Sequence, residues 1–190
     1  MTLPAIWKRR IAFMAVVGLL VAVPLTLLIR DGDDEPAQIP ATGAEPPALG
    51  PAERDRGIGV RYQVADRWLE RKKSSAIRLR SPERDAQIVI ASPAPASDAG
   101  EVLDEALAAL RSGYEHVDVN KGSGPRLGGL PAKGAVATAR TSKGARLRVL
   151  VAVTQGERRA YLVEVFTAVD VAPERLREAQ VTLNSLRFLN

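Results

Sequence analysis

Residues 11–29, IAFMAVVGLLVAVPLTLLI, carry no charged side chain over 19 positions and constrain the chain more than any other stretch. A hydrocarbon core about 30 Å thick needs about 20 apolar residues at about 1.5 Å each, so the run has the length of one membrane crossing. Twelve of the nineteen are Ile, Leu, Val or Phe. At about −0.3 to −0.6 kcal/mol each they favour insertion by about 4 to 7 kcal/mol, an upper bound because end positions count less. Gly18, Pro24 and Thr26 interrupt the run only mildly. Gly18-x-x-x-Ala22 has the spacing of a close helix pair, but that spacing is too common by chance to predict one.

The flanks set the orientation. Lys8, Arg9 and Arg10 precede the run with Trp7 beside them, while Arg30 alone follows before Asp31, Asp33, Asp34 and Glu35. Lys and Arg gather on the cytoplasmic side, which predicts a cytoplasmic tail over 1–10, a transmembrane helix over 11–29 and an extracytoplasmic remainder. The protein is thus expected in the cell membrane as a single-pass chain. A cleaved signal peptide would end an apolar region of roughly 7 to 15 residues at a small-x-small site. This longer run ends Leu-Leu-Ile-Arg-Asp, which favours an uncleaved anchor. With no cysteine there is no lipoprotein processing and no disulfide framework. The usual zinc sites go too, because His116 is the only imidazole.

Residues 30–56 change character. Prolines 36, 40, 46, 47 and 51 lie among Ala, Gly, Asp and Glu with few large apolar residues, so the segment is expected to be a disordered tether. Asp31-Gly-Asp-Asp-Glu hints at a calcium loop, but Thr42 stands where the bidentate Glu belongs.

Residues 57–190 have the size of one domain. Apolar–polar alternation predicts strands at 58–64 and 76–80, and a more buried strand at 86–91 whose only strongly polar residue is Gln87. Asp66-Arg-Trp68-Leu69 reads as a turn and short irregular stretch, with Trp68 plugging one end of the core. Asp98 and Glu101 open a helix in which Val102, Leu103, Ala106, Leu107 and Leu110 form the apolar stripe, and Gly113 closes it. Further strands are expected at 115–120, 133–141, 146–154 and 159–167, the last three as a meander. A final helix opens at Asp170 and Pro173, with Phe188 beyond it against the core. The plan is α+β: an antiparallel sheet of about seven strands packed with two helices, behind one N-terminal transmembrane helix.

Three motifs carry a resemblance over about residues 58–190. They are Tyr62-Gln-Val-Ala-Asp-Arg-Trp68, Leu127-Gly-Gly-Leu-Pro-Ala132 leading into three long strands, and the ending Asn184-Ser-Leu-Arg-Phe188. In these and in element order the chain is similar to the PsbP-like superfamily, including LpqN-type extracytoplasmic proteins. The resemblance implies an α/β/α sandwich-like domain serving as an accessory or binding module. It brings no catalytic residues. The manganese and calcium association of PsbP does not transfer, because no matching ligand set is visible.

Chemistry is sparse. His116 alternates with Asp118 and Asn120 on the wetter face of its strand and has no Gly-x-Ser-x-Gly or Ser-x-x-Lys nucleophile to serve. The glycines at 122, 124, 128 and 129 lack the Gly-Lys-Ser/Thr ending of a phosphate cradle and read as turns. Of the 27 basic and 22 acidic residues, 57–190 hold 21 and 15, a net of +6. Arg78, Arg80, Arg146 and Arg148 sit at alternating strand positions and form a candidate face for an anionic lipid or polymer. Nucleic acid is not expected, because no aromatic residues interleave with them. The sequence predicts a membrane-anchored, non-enzymatic binding protein with no cofactor or metal and no catalytic residue. The alternatives are a subunit of an envelope complex, in secretion or division, that docks through its sheet, and an anchored hydrolase using His116 and a serine.

Overall fold

The computed structural model describes residues 46–92 and 98–189. The predicted cytoplasmic tail, the transmembrane helix at 11–29 and most of the predicted tether lie outside the described residues. Among the described residues no helix is long and apolar enough to cross a membrane.

Five strands come first: β1 (Leu49–Asp55), β2 (Val60–Ala65), β3 (Leu69–Lys73), β4 (Ala76–Arg80) and β5 (Ala86–Ala91). Helix α1 (Ala99–Gly113) follows, then β6 (Glu115–Ser123), β7 (Ala132–Arg140), β8 (Arg146–Gln155) and β9 (Ala160–Ala168). Helix α2 (Pro173–Ser185) and the short β10 (Arg187–Phe188) end the fold. The main sheet runs β3-β4-β5-β9-β8-β7-β6, and a small sheet runs β1-β2-β10. Every pairing is antiparallel. After β5 the chain crosses by α1 to the far edge, then returns through the β6–β9 meander until β9 pairs with β5.

The main sheet is covered on both faces. On the first face α1 lays Val102, Leu103, Ala106, Leu107 and Leu110 against Val89, Ala137, Val149, Leu162 and Phe166. Its Asp98 caps the N-terminus, accepting hydrogen bonds from the amides of Gly100 (2.7 Å) and Glu101 (3.3 Å). Those amides hold the Asp98 carboxyl below its usual pKa. On the second face Val60 and Tyr62 of the small sheet and Leu183 of α2 meet Ile77, Leu79, Ile88 and Ile90. β9, fourth of the seven strands, is buried along its whole length, as is β5 beside it.

The main sheet has the expected number of strands but not the expected set. The strand predicted at 58–64 is β2, which belongs to the small sheet, and β3 takes its place. Two corrections follow. Residues 49–55, assigned to the disordered tether, form β1, so the folded part begins before residue 57. Residues 69–73, where the sequence predicts an irregular stretch ending at Leu69 and no element over 70–73, form an edge strand with one apolar residue. In both cases pairing to a neighbouring backbone, rather than burial of side chains, makes the strand. The last helix starts at Pro173 as predicted, but Ala172 is its N-cap and no side chain caps it.

The three motifs turn out to be contacts with one another. Gly128 has φ +57°, and a Cβ there would stand 2.8 Å from the Phe188 ring, so the glycine makes room for the C-terminal phenylalanine. Phe188 in turn stacks on Tyr161 at 4.1 Å between ring centroids. Ser185 ties α2 to β2: its Oγ accepts from the Gln63 amide at 2.8 Å and lies 3.0 Å from the Gln63 carbonyl. Trp68 is buried and donates from Nε1 to Glu178 of α2 at 2.7 Å. Glu178 also pairs with Arg175, which reaches Glu83 and Asp85 in the turn after β4.

Candidate functional site

Pairing register decides which side chains share a face, because directly opposed residues point the same way. Arg78 lies opposite Val89 and Val89 opposite Glu164, which places Arg78, and Arg80 two residues on, on the α1 face. Arg148 lies opposite Thr167 and Thr167 opposite Ala86, which places Arg148, and Arg146 two residues back, on the other face. The predicted four-arginine face therefore does not form. Alternation fixed each pair correctly, but the phase between distant strands put the pairs on opposite sides.

Among the described residues, the first face carries the one buried acid. Glu164, 3 % exposed, stands in the middle of β9, and one carboxylate oxygen has no hydrogen-bond partner among the described residues. Burial pushes its pKa up to about 7, with the Arg78 charge acting in the opposite direction. Tyr114, at the C-terminus of α1, stacks on Phe166 two residues along β9. Its hydroxyl pKa is pushed up to about 12 by burial first and the Glu164 charge second. Arg78 is lowered, by burial and then by Arg80 and Arg71. Sequence reasoning passed over Glu164. The signal was there: a lone carboxylate at the centre of Tyr-Leu-Val-Glu-Val-Phe, whose neighbours on both sides are apolar.

The second face changes along a single row. From β5 outward it reads Ile88, Val165, Leu150, Val136, Asn120. Ile88 and Val165 are buried beneath the small sheet and α2, Leu150 is half-buried, and Val136 is 46 % exposed. The covering layer thus stops over β8. Beyond it lies an open pocket of about 180 Å³, lined by Asn120, Gly122, Pro125, Gly134, Val136 and Leu150. A Cβ on Gly134 would stand 2.8 Å from the Gly124 Cα, so the two backbones meet only because both lack side chains. Gly124 therefore marks a close chain crossing, whereas Gly122, expected in a turn, lies in β6 with open space around it. Arg148 leaves the same face two residues along β8 from Leu150.

His116 is exposed, with φ +48°, where the β6–β7 register shifts. Among the described residues no group of three or more His, Asp or Glu could hold a metal ion.

The layers define a class: the domain is α+β, and its fold is similar to that of solved PsbP. No protein-family model matches the sequence, and a search of curated proteins found no match. Solved structures do match. Cyanobacterial PsbP (CyanoP) from Synechocystis sp. PCC 6803 aligns over 78 % of this chain and 97 % of its own, with a TM-score of 0.54 and 14 % identity. The Ran-binding protein Mog1p of Saccharomyces cerevisiae aligns over 76 % and 97 %, with a TM-score of 0.52 and 8 % identity. LpqN of Mycobacterium tuberculosis aligns over 77 % and 87 %, with a TM-score of 0.42 and 14 % identity.

Proposed function

We propose that this protein is a single-pass membrane protein whose PsbP-like domain is a non-enzymatic accessory or binding module outside the cytoplasm. The anchor reading is supported by the uncharged run 11–29 and by the Lys8, Arg9, Arg10 cluster before it. The binding reading is carried by one observation: the second layer ends over β8 and leaves Val136, Leu150 and an open pocket uncovered. Exposed apolar surface beside a concavity is what a partner covers, and Arg148 on the same face would orient an acidic group of that partner. Docking of an envelope protein through this end of the sheet is therefore preferred over hydrolysis. That the same fold serves a Ran-binding protein in yeast is consistent with a binding role.

Two measurements test the proposal. Membranes carrying the full chain are washed with alkaline carbonate, and intact protoplasts are treated with protease. Retention in the membrane together with digestion of the C-terminal domain is expected, and release by carbonate or full protection of that domain would defeat the anchor. A photo-crosslinker at Val136 is expected to yield a discrete adduct in intact cells, and one at His116 none. Loss of a measurable activity in His116→Ala would instead restore the hydrolase.

A further inference from the structure

Leu69 is 61 % exposed, the largest value for a large apolar residue among those described, and it sits among arginines. Its partner on β4 is Arg80, half-buried with one guanidinium nitrogen donating to Gln87 Oε1 at 3.2 Å, and Arg71 pairs with Arg78, so the four side chains leave the same face of the sheet. The Ser81–Asp85 turn adds Arg84, close enough that its charge and that of Arg71 act on Arg80. Lys73 continues the row along β3. Of the acids at this end, Glu83 and Asp85 both reach Arg175, Glu70 turns to the other face of β3 and pairs with Lys72 at 2.9 Å, and Asp66 is exposed in the turn before Leu69.

A second observation concerns where the chain enters. The carbonyl of Ala48 accepts a hydrogen bond from the Asp66 amide at 3.1 Å, and Asp66, Arg67 and Trp68 lead directly into Leu69. The point at which residues 1–47 join the domain therefore lies against the turn that presents the leucine and its arginines.

We propose that this corner, Leu69 bordered by Arg71, Arg80 and Arg84, rests on an anionic lipid surface. The inference rests on the anchor reading above, which supplies the surface and holds the domain close to it. A guanidinium suits a lipid phosphate because its planar fork donates two parallel hydrogen bonds. An apolar side chain at the centre of such a ring enters the headgroup boundary while the arginines stay at its polar level. Tethering makes the encounter intramolecular, so a footprint this small suffices. The pocket beside Val136 lies towards the β6 edge, opposite β3, and stays open to a partner while the β3 edge is on the lipid.

The absence of cysteine makes the test direct. Full-length Leu69→Cys and Val136→Cys proteins, each labelled with an environment-sensitive fluorophore, are reconstituted in phosphatidylcholine vesicles with and without phosphatidylglycerol. Quenching by lipid-borne spin labels is expected at position 69 in the anionic vesicles at low salt. It should be lost at high salt and absent at position 136 throughout. Adding Arg71→Gln and Arg80→Gln should abolish the quench while the circular dichroism spectrum is unchanged. Equal quenching at both positions, or none at 69, overturns the proposal, as does a response at 69 to soluble polyphosphate but not to anionic lipid. Alkaline extraction of the same vesicles separates the two readings. Release would end the anchor reading, and salt-dependent binding of the released protein to added vesicles would then decide the footprint by itself. Retention without a position-69 quench ends only the footprint.

Discussion

Where α1 lies on the main sheet, β7 offers Ala135, Ala137 and Ala139, and the helix adds Ala99 and Ala106. On the opposite face the neighbouring strands offer Ile77, Leu79, Ile88 and Ile90, and the covering layer adds Ile58, Tyr62, Trp68 and Leu186. Small residues let a helix backbone approach closely, whereas large ones fill the wider, uneven gap between a twisted sheet and a mixed sheet-and-helix cover. The helix-covered face also holds Glu164, the only buried carboxylate among the described residues, beside Arg78 and Tyr114, where α1 ends. One face is therefore packed for size, and the other for close approach with a buried charged group on its central strand.

That contrast can be broken by substitution. The largest effect is expected from Ile88→Ala, which empties a fully buried position on the large-residue face and should cost about 2–5 kcal/mol in denaturant unfolding. A cost near that of a surface substitution would mean that large side chains are not what fills the gap on the second face.

Glu164→Gln should act in the other direction. Below about pH 4.5 the carboxyl is neutral whether folded or not, so the native pKa of about 7 carries no penalty there. Between those values the unfolded chain ionises first and stability falls as pH rises; above about 7 the penalty is complete. The variant should therefore be more stable by up to about 3 kcal/mol above pH 7, at about 1.4 kcal/mol per pKa unit, and no different in acid. A pH–stability curve parallel to that of the parent would show that burial of this group is not what the fold opposes.

Overfilling the small-residue face is a milder test. Ala137→Leu forces α1 outward and should cost about 1–3 kcal/mol. Asp98→Ala removes the cap of the same helix and should destabilise it slightly, seen as a lower unfolding midpoint with an unchanged slope.

Much of this architecture was legible beforehand. The stripe Val102, Leu103, Ala106, Leu107, Leu110 is buried as its spacing required, and β4, β5 and the β6–β9 meander fall within a residue or so of their patterns except where β6 runs on to Ser123. β1 and β3 were not legible. Leu-Gly-Pro-Ala-Glu-Arg-Asp and Leu-Glu-Arg-Lys-Lys lack apolar alternation because edge strands bury little. The candidate site was half legible. The four arginines stood out by spacing, yet the exposed corner is made by Leu69, Arg71 and Arg84 together with one of them, Arg80, across a strand pair that no pattern announced.

Periodicity is a local property, so the chain by itself settled which residues of each strand and helix turn inward, and composition settled that no disulfide braces them. Strand order and the phase between strands are properties of contacts far apart in sequence. Only tertiary structure could therefore send Arg78 and Arg148 to opposite faces, bury Glu164 beneath the end of α1, and join Gly128 to Phe188.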